Sequence, residues 1–94
     1  MRKPLIPKED HELVMEFMGG NEDAFGQLMD RHKSRIFTTI YFIVKDRELA
    51  EDIFQETMIK IIRLVQADKY DEKGKFISWA VRIARNLAID EYRK

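Results

Sequence analysis

The sequence contains no cysteine, only two prolines, and no apolar run long enough to cross a membrane. The missing cysteine excludes a disulfide framework and any thiolate metal site. Both prolines, Pro4 and Pro7, lie near the start, so only glycine and short polar clusters can interrupt helices downstream. The first residues also lack the apolar segment of a secretory signal. We therefore expect a cytoplasmic protein.

The chain has no charge excess of either sign. Its 17 Lys and Arg residues balance its 17 Asp and Glu residues, for a formal net charge of +0. A nucleic-acid role therefore requires an uneven distribution of charge over the surface.

Signals of catalysis are also missing. The two histidines, His11 and His32, have no partner at metal-ligand spacing, and there is no glycine-rich phosphate loop. Glu51 and Asp52 are adjacent, so on a helix they point in different directions and make a poor acid/base pair. The sequence predicts neither an enzyme nor a bound metal or cofactor.

Helical periodicity is the main feature that is present. With 94 residues the chain can form one small domain. The apolar stripes predict an all-α fold, a compact bundle of four to five helices over residues 10–94, preceded by an N-terminal arm of residues 1–9. Asp10, Asn21 and Asp46 are candidates to begin the first three helices.

The final helix is predicted to run from about Phe76 to the end of the chain, after a polar loop of residues 67–75 with Gly74 as its hinge. Trp79, Ile83 and Phe54 are predicted to be largely buried.

Two local features of the second helix leave alternatives open. Residues 36–44 are rich in β-branched side chains and could form a strand, but helix is preferred because no partner strand is present. Gly26 and the polar patch of residues 30–35 leave room for a bend or break.

The third predicted helix has an acidic outward face. Its polar members are Glu48, Asp52, Gln55 and Glu56. Ile59 falls on the same face by helical spacing, and such a face suits a basic protein surface. Acids near a helix N-terminus and bases such as Arg63 near its C-terminus also suit the helix dipole, and one exposed isoleucine is common. These residues alone therefore favour a purely structural explanation.

The final helix has the opposite character. Arg82, Asn86 and Arg93 share one face and Arg85 lies at its flank. Such a face can hold phosphates or base edges, although a merely solvated basic face fits the charges about as well. Phe76, beside the hinge, is the more open candidate for base stacking, whereas Trp79 is better explained as core.

Three stretches together resemble a known family: "GNEDAFGQLMDRH", "ELAEDIFQETMIKII" and "KFISWAVRIARNLAIDEYRK". In this order they resemble region 2, the first domain of bacterial RNA polymerase sigma factors of the extracytoplasmic-function type. The resemblance covers residues 10–94 and implies the all-α region 2 fold. The family's second helical domain, region 4, is absent from this chain, which is therefore expected to be one domain of a longer protein.

The resemblance implies a partner for each charged face. In the family, the acidic helix docks on the clamp helices of the polymerase β′ subunit. The matching residues are Asp52, Gln55 and Glu56, with Glu48, Ile59 and Arg63 as flanks. The loop and final helix bind the non-template strand of the promoter −10 element. This role would fall on Tyr70, Asp71, Lys73, Lys75, Phe76, Arg82, Arg85, Asn86 and Arg93. An anti-sigma protein often covers these surfaces, and no membrane partner is implied.

The function that the sequence predicts is promoter recognition and transcription initiation as part of an alternative sigma factor. The competing hypothesis is a helical protein–protein adaptor whose basic helix is only solvated. Such an adaptor would show no sequence preference among −10 oligonucleotides.

Overall fold

A computed structural model describes residues 8–70 and 74–94 of the chain. It contains four helices: α1 (Asp10–Met18), α2 (Glu22–Val44), α3 (Arg47–Gln66) and α4 (Phe76–Tyr92). This part of the chain forms no strand, and the predicted all-α fold is confirmed. Most of the predicted N-terminal arm lies outside the described residues, as do Asp71 and Lys73.

Helix α2 lies at the centre of the bundle and contacts the other three helices, while α3 and α4 also pack on each other. All four helices contribute their apolar stripe to one core, in which Leu13, Ile36, Ile61 and Phe76 are almost fully buried. Burying each such side chain contributes about 1.5–3 kcal/mol, which offsets the entropy lost on folding. The packing leaves the outward faces of α3 and α4 in solvent.

Side-chain caps begin two of the helices, as the sequence predicts. Asn21 Oδ1 accepts a hydrogen bond from the Asp23 N–H at 3.1 Å, and Asp46 Oδ1 accepts one from the Leu49 N–H at 3.1 Å. Gly20 provides the left-handed backbone (φ 105°) between α1 and α2, a conformation that glycine adopts without strain.

Asp10 has a different role from the predicted N-cap. Helix α1 begins at Asp10 itself, and the N-cap is Glu9. The Asp10 carboxylate instead reaches α2, where its Oδ1 accepts a hydrogen bond from Arg31 Nη1 at 2.8 Å and its Oδ2 lies 2.8 Å from His32 Nε2. The prediction was wrong because a capping residue and an interhelical partner have the same sequence signature at a helix start.

Replacing Asp10 with alanine is expected to cost about 1–3 kcal/mol, because the partly buried His32 and the more exposed Arg31 on α2 lose their partner. Asp30→Ala is the matched control, since its ion pair with Lys33 is solvent-exposed on both sides and should contribute less than about 1 kcal/mol. Urea unfolding of the two variants measures the difference. Equal losses of stability would contradict the interhelical role of Asp10.

Helix α2 is continuous over 23 residues, without a break at Gly26 or in the polar patch of residues 30–35. Within this patch, Arg31 and His32 face Asp10 of α1. Met29 and Ile36 continue the buried stripe on either side of the patch. Residues 36–44 are helical, so the preference for helix over strand is confirmed.

Candidate functional site

The acidic face of α3 consists of Glu48, Asp52, Gln55, Glu56 and Ile59, which are all exposed. Ile59 is 49% exposed, as predicted, because Ile53, Thr57 and Ile61 bring the opposite side of the helix into the core. Within residues 8–70 and 74–94, the three carboxylates of this face form no ion pair. They are therefore available to a partner without breaking an internal contact.

A groove borders the acidic face on the side of α2. Its floor is formed by the half-buried rings of Phe37 and Phe54, whose centroids are 6.3 Å apart in an edge-to-face arrangement. The Arg47 guanidinium lies 5.9 Å from the Phe37 centroid and is 3.6 Å from a Glu51 carboxylate oxygen. This pairing explains why Glu51, although acidic, is less available than its neighbours.

A second depression borders the acidic face on the side of α4, and we name it the α3–α4 notch. It has a volume of about 530 Å³, and its lining residues are Glu56, Ile59, Lys60, Arg63, Leu64 and Leu87. The sequence places Leu87 on the apolar stripe of the last helix, but the structure leaves it half-buried at the notch. The notch could not be predicted because it depends on how α3 and α4 cross.

The basic face of α4 consists of Arg82, Arg85, Asn86 and Arg93, which are exposed as predicted. The small residues Ala80, Ala84 and Ala88 are fully buried on the other side, where they allow α4 to approach its neighbours closely. The three arginines form no ion pair within the described parts of the chain. Their guanidinium groups can therefore bind anions without giving up another partner.

Phe76, the more open candidate for base stacking in the sequence, is only 1% exposed. Its centroid is 5.9 Å from that of His32, 6.0 Å from that of Tyr70 and 5.9 Å from that of Trp79. The first turn of α4 therefore places this ring inside an aromatic cluster, with no face free for a base. The polar loop before it gave no sign of this burial.

Trp79 is less buried than predicted. It is half-buried and packs edge-to-face on Tyr70, with centroids 5.0 Å apart. Phe54 is likewise half-buried against the core, whereas Ile83 is buried as predicted. Of these three predicted core residues, Ile83 is thus enclosed, while Phe54 and Trp79 extend partly to the surface.

A pocket of about 380 Å³ lies where the start of α1 meets the start of α4, and we name it the hinge pocket. Its lining residues are Glu9, Asp10, His11, Tyr70, Gly74, Lys75, Phe76 and Ile77. Tyr70, Lys75 and Phe76 are predicted site residues that the structure brings together. The contribution of α1 could not be predicted, since it is about sixty residues away in sequence.

The described helices carry neither a membrane span nor a metal centre. None of them is long and apolar enough to cross a bilayer. No group of three His, Asp or Glu side chains among residues 8–70 and 74–94 is placed to hold a metal ion.

Residues 28–94 match the family model of Sigma-70 region 2, a range that includes α3, α4 and most of α2. The chain is 35% identical over 82 residues to the ECF RNA polymerase sigma factor BldN of Streptomyces coelicolor, covering 87% of this chain and 31% of that protein. It is 40% identical over 81 residues to the ECF RNA polymerase sigma factor SigW of Bacillus subtilis, covering 86% and 42%.

A third relative is the RNA polymerase sigma factor CarQ of Myxococcus xanthus, which is 36% identical over 77 residues, or 82% of this chain and 43% of that protein. The chain thus spans less than half the length of each of these three relatives. The range matched by the family model, residues 28–94, includes both charged helices. The chain belongs to the sigma-70 family of RNA polymerase sigma factors, in its extracytoplasmic-function group, and carries the family's region 2 domain.

Proposed function

We propose that this domain docks on the β′ clamp helices of RNA polymerase through the acidic face of α3 and binds the promoter −10 element through α4 and the hinge before it. The observation that carries the proposal is the pair of exposed faces of opposite charge on two helices that pack directly on each other. The acidic face can bind a basic partner, and the basic face can bind a polyanion. Each face repels the partner of the other face, because the two carry charge of the same sign.

The docking part of the proposal is supported by the composition of the acidic face. Asp52, Gln55 and Glu56 offer carboxylate and amide oxygens to basic or amide donors, and Ile59 adds apolar area in the middle of the surface. Glu48 lies at one end of the proposed docking surface, and Arg63 extends that surface at the other end. Because these carboxylates have no partner among the described residues, docking need not break an existing ion pair.

The DNA part of the proposal is supported by the basic face. Arg82, Arg85 and Arg93 can neutralise phosphates, while the Asn86 amide can both donate to and accept from a base edge. Tyr70 and Lys75 line the hinge pocket beside this helix, and Asp71 and Lys73 belong to the same proposed segment but lie outside the described residues. For Phe76, burial supports a positioning role under Tyr70 rather than stacking on a base.

An anti-sigma protein would be a third partner in this proposal. A regulator that covers the acidic face or the basic face would compete with polymerase or with DNA, since neither face is occupied by the described parts of the chain.

The docking proposal predicts that Glu56→Lys weakens binding to core RNA polymerase by about tenfold or more, because one attractive charge becomes repulsive at the interface. Gln55→Ala should produce a smaller loss. Both side chains are exposed, so the helical content and melting temperature should stay close to those of the parent chain. Fluorescence anisotropy of the labelled chain with core polymerase measures the affinity.

Asp30→Lys is the matched control for Glu56→Lys, because it makes the same charge change on an exposed site of α2. It should leave polymerase affinity nearly unchanged. A photo-crosslinking residue in place of Ile59 should crosslink to β′. Equal effects of the two charge reversals, or a crosslink to another subunit, would show that the acidic face is not the docking site.

A further inference from the structure

The charges on the exposed side of α3 change sign along the helix, and the α3–α4 notch lies at the change. Exposed acids occupy its first three turns and end at Glu56, whereas Lys60 and Arg63 follow Ile59. Glu56 and Lys60 are four residues apart, a spacing that usually favours an ion pair within a helix. They form none here, and neither Lys60 nor Arg63 pairs with another described residue.

The notch between these opposite charges is apolar at its base. Ile59 is 49% exposed, and the half-buried Leu64 and Leu87 bring apolar surface from both helices. A volume of about 530 Å³ is large enough for one aliphatic or aromatic side chain. Glu56 and Arg63, on opposite sides of this base, are about 10 Å apart along the helix axis, as seven helical residues require.

We propose that the α3–α4 notch receives an apolar side chain from a β′ clamp helix of polymerase. On that helix, the apolar side chain lies between basic residues, which face Glu56, and acidic residues, which face Lys60 and Arg63. This inference rests on the proposed docking function and adds the chemistry of the partner: basic, apolar and acidic, in that order along α3. It also makes Leu87 of α4 part of the docking surface, so that the partner contacts the helix assigned to DNA.

The charge order distinguishes this partner from a uniformly basic one. Lys60→Glu adds a negative charge beside the acidic face, so a uniformly basic partner would bind this variant more tightly. A partner with acidic residues opposite Lys60 should instead bind it about tenfold more weakly. The sign of the change therefore tests the inference directly.

The experiment measures the affinity of the chain for core RNA polymerase by anisotropy, with Lys69→Glu as the control. Lys69 is exposed and undergoes the same charge change, but it does not line the notch. The inference predicts weaker binding for Lys60→Glu and little change for Lys69→Glu. Tighter binding, no change, or equal losses for both variants would overturn it.

A second pair of variants tests the apolar base. Leu87→Ala should weaken polymerase binding by about threefold or more, since apolar area is lost from the contact, whereas Val81→Ala, at a half-buried α4 position outside the notch, should not. Melting temperatures identify any variant that loses affinity by unfolding. If Leu87→Ala instead dissociates a dimer of the free chain in sedimentation, the occupant is a second copy and the inference fails.

The parent proposal is tested separately by Glu56→Lys. If Glu56→Lys weakens binding but Lys60→Glu and Leu87→Ala do not, the docking function stands and the inference about the notch is wrong. If Glu56→Lys is also without effect, the docking function itself fails, and the inference fails with it.

Discussion

Phe76→Ala is expected to destabilise the domain by about 3–5 kcal/mol, the range for removing a large aromatic side chain from a packed core. Phe76 is 1% exposed, and its ring lies among those of His32, Tyr70 and Trp79. The substitution removes contacts to α2, to the loop and to α4 itself. Because small domains are stable by only about 5–15 kcal/mol, much of the population could unfold at physiological temperature.

Phe42→Ala is the matched control for this prediction. Phe42 is 64% exposed on α2 and contacts Lys45, whose amino group lies 5.4 Å from the ring centroid. An exposed cation–π contact contributes about 0.5–1 kcal/mol, so this variant should keep most of its stability. Thermal and urea unfolding followed by circular dichroism compare the two. A fully stable Phe76→Ala variant would mean that this ring is not part of the core.

The expected loss of stability for Trp79→Ala is smaller than the predicted burial of Trp79 suggests. Since Trp79 is only half-buried, less apolar area returns to water than for a fully enclosed tryptophan. In the structure, Phe76 is therefore the more deeply buried of the two aromatic side chains. The two residues are three apart, and the periodicity that places both on one stripe does not determine which lies deeper.

The helical fold could be predicted because local signals agree with one another. Asn21 and Asp46 are capping residues followed by apolar stripes of helical period, and both cap their helices in the structure. The exposure of Ile59 followed from the same periodicity. Asp10 shows where such signals fail, because its partners Arg31 and His32 lie more than twenty residues away.

The charged faces were predictable as patterns, but their surroundings were not. Helical spacing alone groups Arg82 with Asn86 on the outside of α4, and the structure agrees. The hinge pocket and the α3–α4 notch each combine residues from distant segments, such as His11 with Tyr70 and Ile59 with Leu87. These two depressions form only when the helices pack together, so the apolar pattern within a single segment cannot predict them.

The direct packing of α3 on α4 has a consequence for how the two proposed partners would be arranged. Both helices bury apolar side chains in the same core, including Ile61 of α3 and Ile83 of α4, so neither can move far without disrupting it. Polymerase bound to one helix would therefore fix the position of DNA on the other. Positioning of this kind raises the effective concentration of a weak DNA contact and allows the basic face to function with few cations.

The DNA proposal predicts that substitutions in two classes of α4 residue have different effects on DNA binding. Arg82→Ala and Arg85→Ala should weaken binding to every single-stranded −10 probe, because phosphate contacts carry no sequence information. For single strands, each lost contact should also reduce the slope of log affinity against log salt by about 0.7, and the double variant by about 1.4. Arg47→Ala, an exposed arginine at the start of α3, is the matched control and should leave the slope unchanged.

Asn86→Ala should instead change the ranking of −10 sequences. Its amide can recognise a base edge, and losing one such contact removes about 1–3 kcal/mol of discrimination at a single position. The salt slope should stay the same, since no charge is removed. The measurement is a salt titration of a panel of non-template −10 oligonucleotides with the chain bound to core polymerase, which supplies the positioning. If Asn86→Ala lowered affinity for all probes equally and left their ranking intact, α4 would bind only phosphates, and sequence recognition would belong to another part of the protein.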